Sequence, residues 1–254
     1  MGTVNRSTEN GATMTSLHCQ IDATHPVALA RFVGPLDIPA AAAAWGTMVR
    51  LLVEQPDALV VDLAAVEVED PQVLLVFGAL ARRASLWPGV PVILTVPDPP
   101  MRADLHRQGV DRRLAVCADP AEALLLARSA PTPPRRREVL EPGPGAARRG
   151  RDLVTEACLS WQVPRLLAPA SIIASELVTN AVRHAGTRCE LALARTAQYL
   201  HIAVRDGDPR PAVCREPAPT DPAGRGLLIV ARTALSWGST ALPDGKVVWA
   251  TLTA

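Results

Sequence analysis

Two kinds of apolar spacing alternate along the first half of the chain. Residues 58–63 (ALVVDL) form a nearly unbroken apolar run, the pattern of a strand covered on both faces. Residues 90–96 repeat that pattern, with Pro91 near the start, and residues 27–33 read as a further strand closed by Gly34-Pro35. Between them, alanine- and leucine-rich stretches at 39–53 and 72–86 have helical spacing, and Pro39 suits a first helical turn. Asp119-Pro120 supplies an N-cap followed by a first-turn proline, which starts a last helix running to 128. Strands separated by helices of this length predict a layered α/β domain.

The second half has a different order. Residues 148–161 and 168–184 read as two helices, and residues 189–195 and 199–205 as two strands, the second with Leu200, Ile202 and Val204 on one face. A proline-rich loop follows, then a helix at 226–235 and a final strand at 246–252. Long helices followed by paired strands predict an α+β sandwich whose sheet is covered by helices.

The length of 254 residues suits two domains. Residues 1–15, rich in Thr, Asn, Ser and Gly, read as a disordered tail, and 16–129 as the first domain. A second composition break, APTPPRRREVLEPGPGAARRG, begins at Ala130. Residues 130–147 read as a Pro/Arg-rich linker and 148–254 as the second domain. The linker arginines have no aromatic residue among them for base stacking, which favours a solvated linker over a nucleic-acid patch. The net charge of +1 gives no electrostatic case for nucleic acid or an acidic membrane. The five cysteines are scattered and form no C-x-x-C pair, which argues against structural zinc or a disulfide framework and for reduced thiols in a cytoplasm. The N-terminus is polar, without the apolar stretch of a signal peptide, and no uncharged, proline-free apolar run is long enough to span a membrane.

Three segments of the second domain carry candidate chemistry. In 175–185 (SELVTNAVRHA), Glu176, Asn180 and His184 are four apart and share one helical stripe, while Ile172, Ile173, Leu177, Val178 and Val182 take the other side. In 204–209 (VRDGDP), Asp206 follows a strand directly, in a turn. In 224–230 (GRGLLIV), Gly224 and Gly226 open a helix, where backbone amides can approach phosphate. Each alone has a bland reading: an amphipathic helix, a common Asp-Gly turn, a tight loop.

Their order and spacing together resemble the N, G1 and G2 boxes of the GHKL ATPases, most of all the anti-sigma factor serine/threonine kinase branch. The ending 245–250 (GKVVWA) is also similar to the last strand of that group. The resemblance covers roughly the second domain and implies a Bergerat-type ATP-binding sandwich. It implies that Asn180 coordinates Mg²⁺ through its amide oxygen and that Glu176 accepts a proton from an attacking hydroxyl. It further implies that Asp206, with Gly207 beside it, binds the adenine amino group. Gly224, Arg225, Gly226 and Leu227 match the phosphate-side loop and helix start, and 209–223 the lid over the nucleotide. One position departs from the pattern: Asp208 stands where the G1 box has glycine, adding a carboxylate near the nucleotide. A sensor histidine kinase would need a phosphoacceptor on a dimerising helix, and His18, His25, His106 and His201 have no such setting.

In the first domain, Val33-Gly34-Pro35-Leu36-Asp37, then Val60-Val61-Asp62-Leu63, then a helix after Asp70, resemble a STAS domain of the anti-anti-sigma type. In that family the loop after the Asp-Leu strand carries a phosphorylated serine. Here the matching residues are Asp70-Pro71-Gln72-Val73, and Pro71 has no hydroxyl to phosphorylate. Two functions follow as expectations. One is a cytoplasmic Ser/Thr kinase that uses Mg²⁺-ATP on a separate STAS partner, binds a sigma factor and so regulates transcription; kinases of this type are often homodimers. The other is a non-catalytic, nucleotide-dependent binding module, with the STAS domain held in cis as a pseudo-substrate. A plain adaptor that binds no nucleotide would need the three motifs to coincide by chance.

Overall fold

The computed structural model describes residues 16–22, 26–214 and 225–254; the expected N-terminal tail and most of the expected lid lie outside them. Five strands make the first sheet: β1 (His18–Asp22), β2 (Val27–Pro35), β3 (Ala58–Glu67), β4 (Val92–Thr95) and β5 (Ala115–Cys117), paired in that order. β1 runs antiparallel to β2, and the other pairs are parallel. Four helices cover this sheet: α1 (Ile38–Val53), α2 (Leu75–Leu86), α3 (Pro99–Arg107) and α4 (Pro120–Ser129). Leu59 and Val61 pack with α1, α2 and α3, whereas Ala58 and Val60 pack with Ala123 and Ala127 of α4. β3 is therefore buried on both faces, which is why its sequence is an apolar run rather than an alternation. The single charge in that run, Asp62, accepts from Arg31 Nε on the neighbouring strand at 2.9 Å. Asp37, Asp98 and Asp119 each accept from a backbone amide at a helix start that carries proline in its first turn.

The second sheet contains β6 (Arg135–Leu140), β7 (Cys189–Arg195), β8 (Tyr199–Asp206), β9 (Ser236–Leu242) and β10 (Gly245–Thr253) in the order β6-β7-β8-β10-β9, antiparallel throughout. α5 (Ala146–Ser160), α6 (Leu167–His184) and α7 (Gly226–Thr233) bury Val154, Ile173, Leu177, Val178 and Val230 against Leu191, Ile202, Val204, Val248 and Ala250. β6 falls inside the stretch expected to be a linker. An edge strand needs main-chain bonds on one side only, so its three arginines are compatible with pairing to β7, and Leu140 alone reaches the core. β1, β5, β9 and α3 were not expected. β1 is short and exposed, β5 has three residues, and α3 opens with two prolines after Asp98. Among the expected apolar positions of α6, Ile172 is instead exposed.

The helix-free face of the second sheet is covered by the first domain. Ala203, Leu242, Val247 and Trp249 pack with Val53, the last residue of α1, and Trp87, which follows α2. The Trp87 and Trp249 rings stack with centroids 5.5 Å apart and planes 9° apart, and Arg83 Cζ lies 4.4 Å from the Trp249 centroid. Thr251 Oγ1 donates to Leu86 O, and Arg135 donates to Gln55 O at 2.8 Å and Pro56 O at 3.1 Å. Arg205 is 3.2 Å from a Glu54 carboxylate oxygen. At Gly89, φ is +78°, and a Cβ there would lie 2.7 Å from His201 Nε2, so both the conformation and the close approach require glycine.

Candidate functional site

The site is built from one helix face, one strand end and one helix start. α6 turns Ala170, Ile173, Ala174, Leu177, Val178 and Ala181 to the sheet. This leaves Glu176 and Asn180, four apart, half-buried at the margin of the core, while His184 at the end of the helix is exposed. α7 begins against this margin. A Cβ on Gly226 would sit 2.6 Å from Glu176 Oε2 and 3.4 Å from both Asn180 Nδ2 and Oδ1. Any larger residue at 226 would displace the Glu176 carboxylate, and the first-turn amides of a helix favour anions. Leu227 is half-buried beside Gly226, Arg225 is exposed, and Gly224 lies outside the described residues.

Asp206 ends β8. It continues the alternation of Leu200, Ile202 and Val204, so it faces the same side of the sheet as α6. Its register partner across the sheet is Lys246 of β10. Lys246 Nζ donates to Asp206 Oδ1 at 2.9 Å, and the Asp208 amide donates to the same oxygen at 2.9 Å. Both members of this pair are buried. Gly245 precedes the lysine with φ +155°, and a Cβ there would collide with Asp206 O, so the close pairing of the two strand ends depends on glycine. The Gly207 amide donates to Thr187 Oγ1 at 3.3 Å.

Asp208, the departure from the motif, is turned onto cations. Arg210 Nε donates to Oδ1 at 2.9 Å and Nη2 to Oδ2 at 3.1 Å, and Lys246 Nζ lies 3.3 Å from Oδ2. The Arg210 side-chain and backbone hydrogen bonds, with Lys246 adding, hold this carboxyl well below the usual carboxylate range against a small opposing effect of burial. The sequence reading did not include Lys246, Arg210 or Thr187 in the site. A signal for Lys246 existed: it is the only lysine in the chain and sits in an otherwise apolar strand.

Cys19, Cys117, Cys158, Cys189 and Cys214 are free thiols in the structure. Burial, with Asp206 adding, pushes the Cys189 thiol up to about 11, which keeps it protonated and unreactive. Among the described residues there is no group of three or more His, Cys, Asp or Glu placed to hold a metal.

The Pro71 turn does not enter this site. Asp70 caps it through Gln72 N at 2.9 Å, and Gln108 Nε2 donates to Pro71 O at 2.6 Å, both contacts within the first domain. It stands before the N-terminal end of α2, whereas the docking contacts follow the C-terminal end, about 18 Å away at 1.5 Å per residue. Those contacts are also on the sheet face opposite α6. The first domain docks in cis on the sheet face opposite α6, and the Pro71 turn is not among the contacts that dock it.

A helix-covered antiparallel sheet with this acid, amide and glycine set defines the class. Residues 141–252 match the family model described as the histidine kinase-like ATPase domain. The first domain is a five-stranded mixed sheet flanked by helices. Similar solved structures include an anti-sigma factor antagonist from Mycobacterium paratuberculosis, with 23% identity and a TM-score of 0.39, covering 45% of this chain and 96% of that one. Another is the anti-sigma factor antagonist SpoIIAA in its unphosphorylated form, with 17% identity and a TM-score of 0.38, covering 45% and 99%. No curated protein matches the chain.

Proposed function

We propose that the chain is a cytoplasmic partner-switching regulator that binds Mg²⁺-ATP between α6, the end of β8 and the start of α7, and phosphorylates Ser or Thr on a separate STAS-domain protein, thereby controlling a sigma factor. The observation that supports this reading most is the approach of Gly226 to Glu176 and Asn180. It puts a hard oxygen ligand, a carboxylate and a helix N-terminus at one place, the set that phosphoryl transfer needs. Asn180 Oδ1 would hold Mg²⁺. Bound Mg²⁺-ATP supplies the transferable phosphoryl group and an ion that offsets charge on its oxygens. Glu176 takes the proton of the partner's hydroxyl as that oxygen bonds to the γ-phosphorus and the bond to the ADP oxygen breaks. Asp206 holds the adenine amino group. Pro71 has no hydroxyl to accept phosphate, which favours a target on another chain. Among the described residues no helix is long and apolar enough to cross a membrane.

Calorimetry with Mg²⁺ tests the site. The wild type is expected to bind ATP, and Asn180→Ala and Asp206→Asn to weaken binding at least about tenfold, the cost of one hydrogen bond to a charged or ionic group. No binding by the wild type would sink the reading. Transfer is tested by labelling a serine-bearing STAS protein from γ-labelled ATP: incorporation should vanish in Glu176→Ala, and equal labelling would remove the acid from the chemistry. The docked first domain favours a second reading, a nucleotide-dependent binding module without transfer, in which ATP binds and no partner is labelled.

A further inference from the structure

A lysine inside an apolar strand requires a reason. Lys246 shares the helix-facing row of β10 with Val248, Ala250 and Leu252, and it is 6% exposed. An ammonium taken from water costs several kcal/mol unless charged partners replace its hydration. Here the partners are two carboxylates of one turn. Lys246 Nζ donates to Asp206 Oδ1 at 2.9 Å and to Asp208 O at 3.1 Å, and its distance to Asp208 Oδ2 is 3.3 Å. Arg210 takes the remaining side of Asp208 through both carboxylate oxygens.

We propose that Lys246 is a positioning residue for the base end of the nucleotide site: it fixes the Asp206 carboxylate and absorbs the extra charge that Asp208 brings where the motif has glycine. The inference rests on the nucleotide reading given above. Among the described residues the donors to Asp206, Lys246 Nζ and the Asp208 amide, both fall on Oδ1, so the carboxylate is held through one oxygen and Oδ2 is the oxygen left for a base to engage. Asp208 is bound by two cations, which removes its charge from the phosphates. Asp208 and Lys246 thus compensate each other. A chain with glycine in place of Asp208 has no second carboxylate for the lysine to hold.

The test is a double-mutant cycle on the full chain with Mg²⁺-ADP and Mg²⁺-ATP as probes, read by calorimetry and by thermal unfolding without nucleotide. Lys246→Met should weaken both nucleotides alike, by at least about tenfold, because the loss is at the base end that they share. It should also lower the nucleotide-free Tm by roughly 5 °C, since two carboxylates lose a buried cation. Adding Asp208→Gly should recover part of the affinity and part of the Tm, since the second carboxylate is gone while Asp206 still lacks its cation. A purely structural ion pair would move the Tm without the matched loss and rescue of nucleotide affinity. If Lys246→Met binds ADP as the wild type does, or if Asp208→Gly gives no rescue, the role of Lys246 is overturned. A loss for ATP alone would place the effect at the phosphates and overturn it equally. Should Lys246→Met not fold alone, the double variant decides, and it is expected to fold and bind ADP. A wild type that binds neither nucleotide overturns the site reading and this inference together, whereas binding that ignores Lys246→Met overturns this inference alone.

Discussion

Trp249→Ala is expected to cost about 4 kcal/mol of folding stability, at the upper end for large-to-small changes at buried positions. The ring is 5% exposed, stacks on Trp87 and lies under Arg83, so its removal opens a cavity between the two domains rather than inside one. Urea unfolding of the wild type, Trp87→Ala, Trp249→Ala and the double variant measures this. The two single changes should be non-additive by about 1 kcal/mol, the coupling of a stacked aromatic pair. Strict additivity would mean that the rings do not touch in solution. Trp249→Phe should cost distinctly less than alanine. Phenylalanine keeps most of the buried area, and it removes an indole Nε1 that has no hydrogen-bond partner.

His201 predicts the pH response. It lies on the same interface, with Nδ1 3.3 Å from Thr251 Oγ1 and Nε2 without a partner. Burial lowers its pKa to about 4 from the ordinary 6.5; the Leu86 carbonyl opposes this and the Arg135 charge adds to it. The folded state therefore keeps the ring neutral in a range where the unfolded chain takes up a proton. Stability is retained above pH 6.5, falls as pH drops from about 6.5 to about 4, and levels off below that, with a total loss of roughly 3 kcal/mol. Between pH 7 and pH 5 the wild type should lose about 2 kcal/mol more than His201→Asn, which has no proton to gain in this range. Equal losses in the two proteins would show that the ring is hydrated.

Much of this architecture could be read from apolar spacing, because burial imposes it directly. The unbroken run at β3 and the helical stripe of α6 both follow from which faces are covered. Elements whose stability comes from somewhere else escaped that reading. β6 is held by main-chain pairing at a sheet edge, and its arginines look like those of a solvated segment. α3 begins with prolines that suit a helix start as well as a loop. The site divided in the same way. Glu176, Asn180, Asp206 and Gly226 belong to local motifs with regular spacing, and the structure brings Glu176, Asn180 and Gly226 together. Lys246 is 40 residues from Asp206 and meets it only through strand register. An arrangement in cis was among the expectations, but the residues that form it, Trp87 and Trp249, carry no local motif and meet only through the fold.

The alternation of β8 and β10 makes the docked domain and the proposed nucleotide site neighbours through one layer of backbone. Asp206 and Lys246 face α6, while the residues next to them, Arg205 and Val247, face the first domain through Glu54, Val53 and Trp87. One strand end thus reports to two surfaces, and free energy exchanged between them obeys reciprocity. Whatever factor nucleotide imposes on the hold between the domains, the hold imposes on nucleotide affinity. Where that factor differs from one, an ATPase segment excised from its partner is thermodynamically a different receptor.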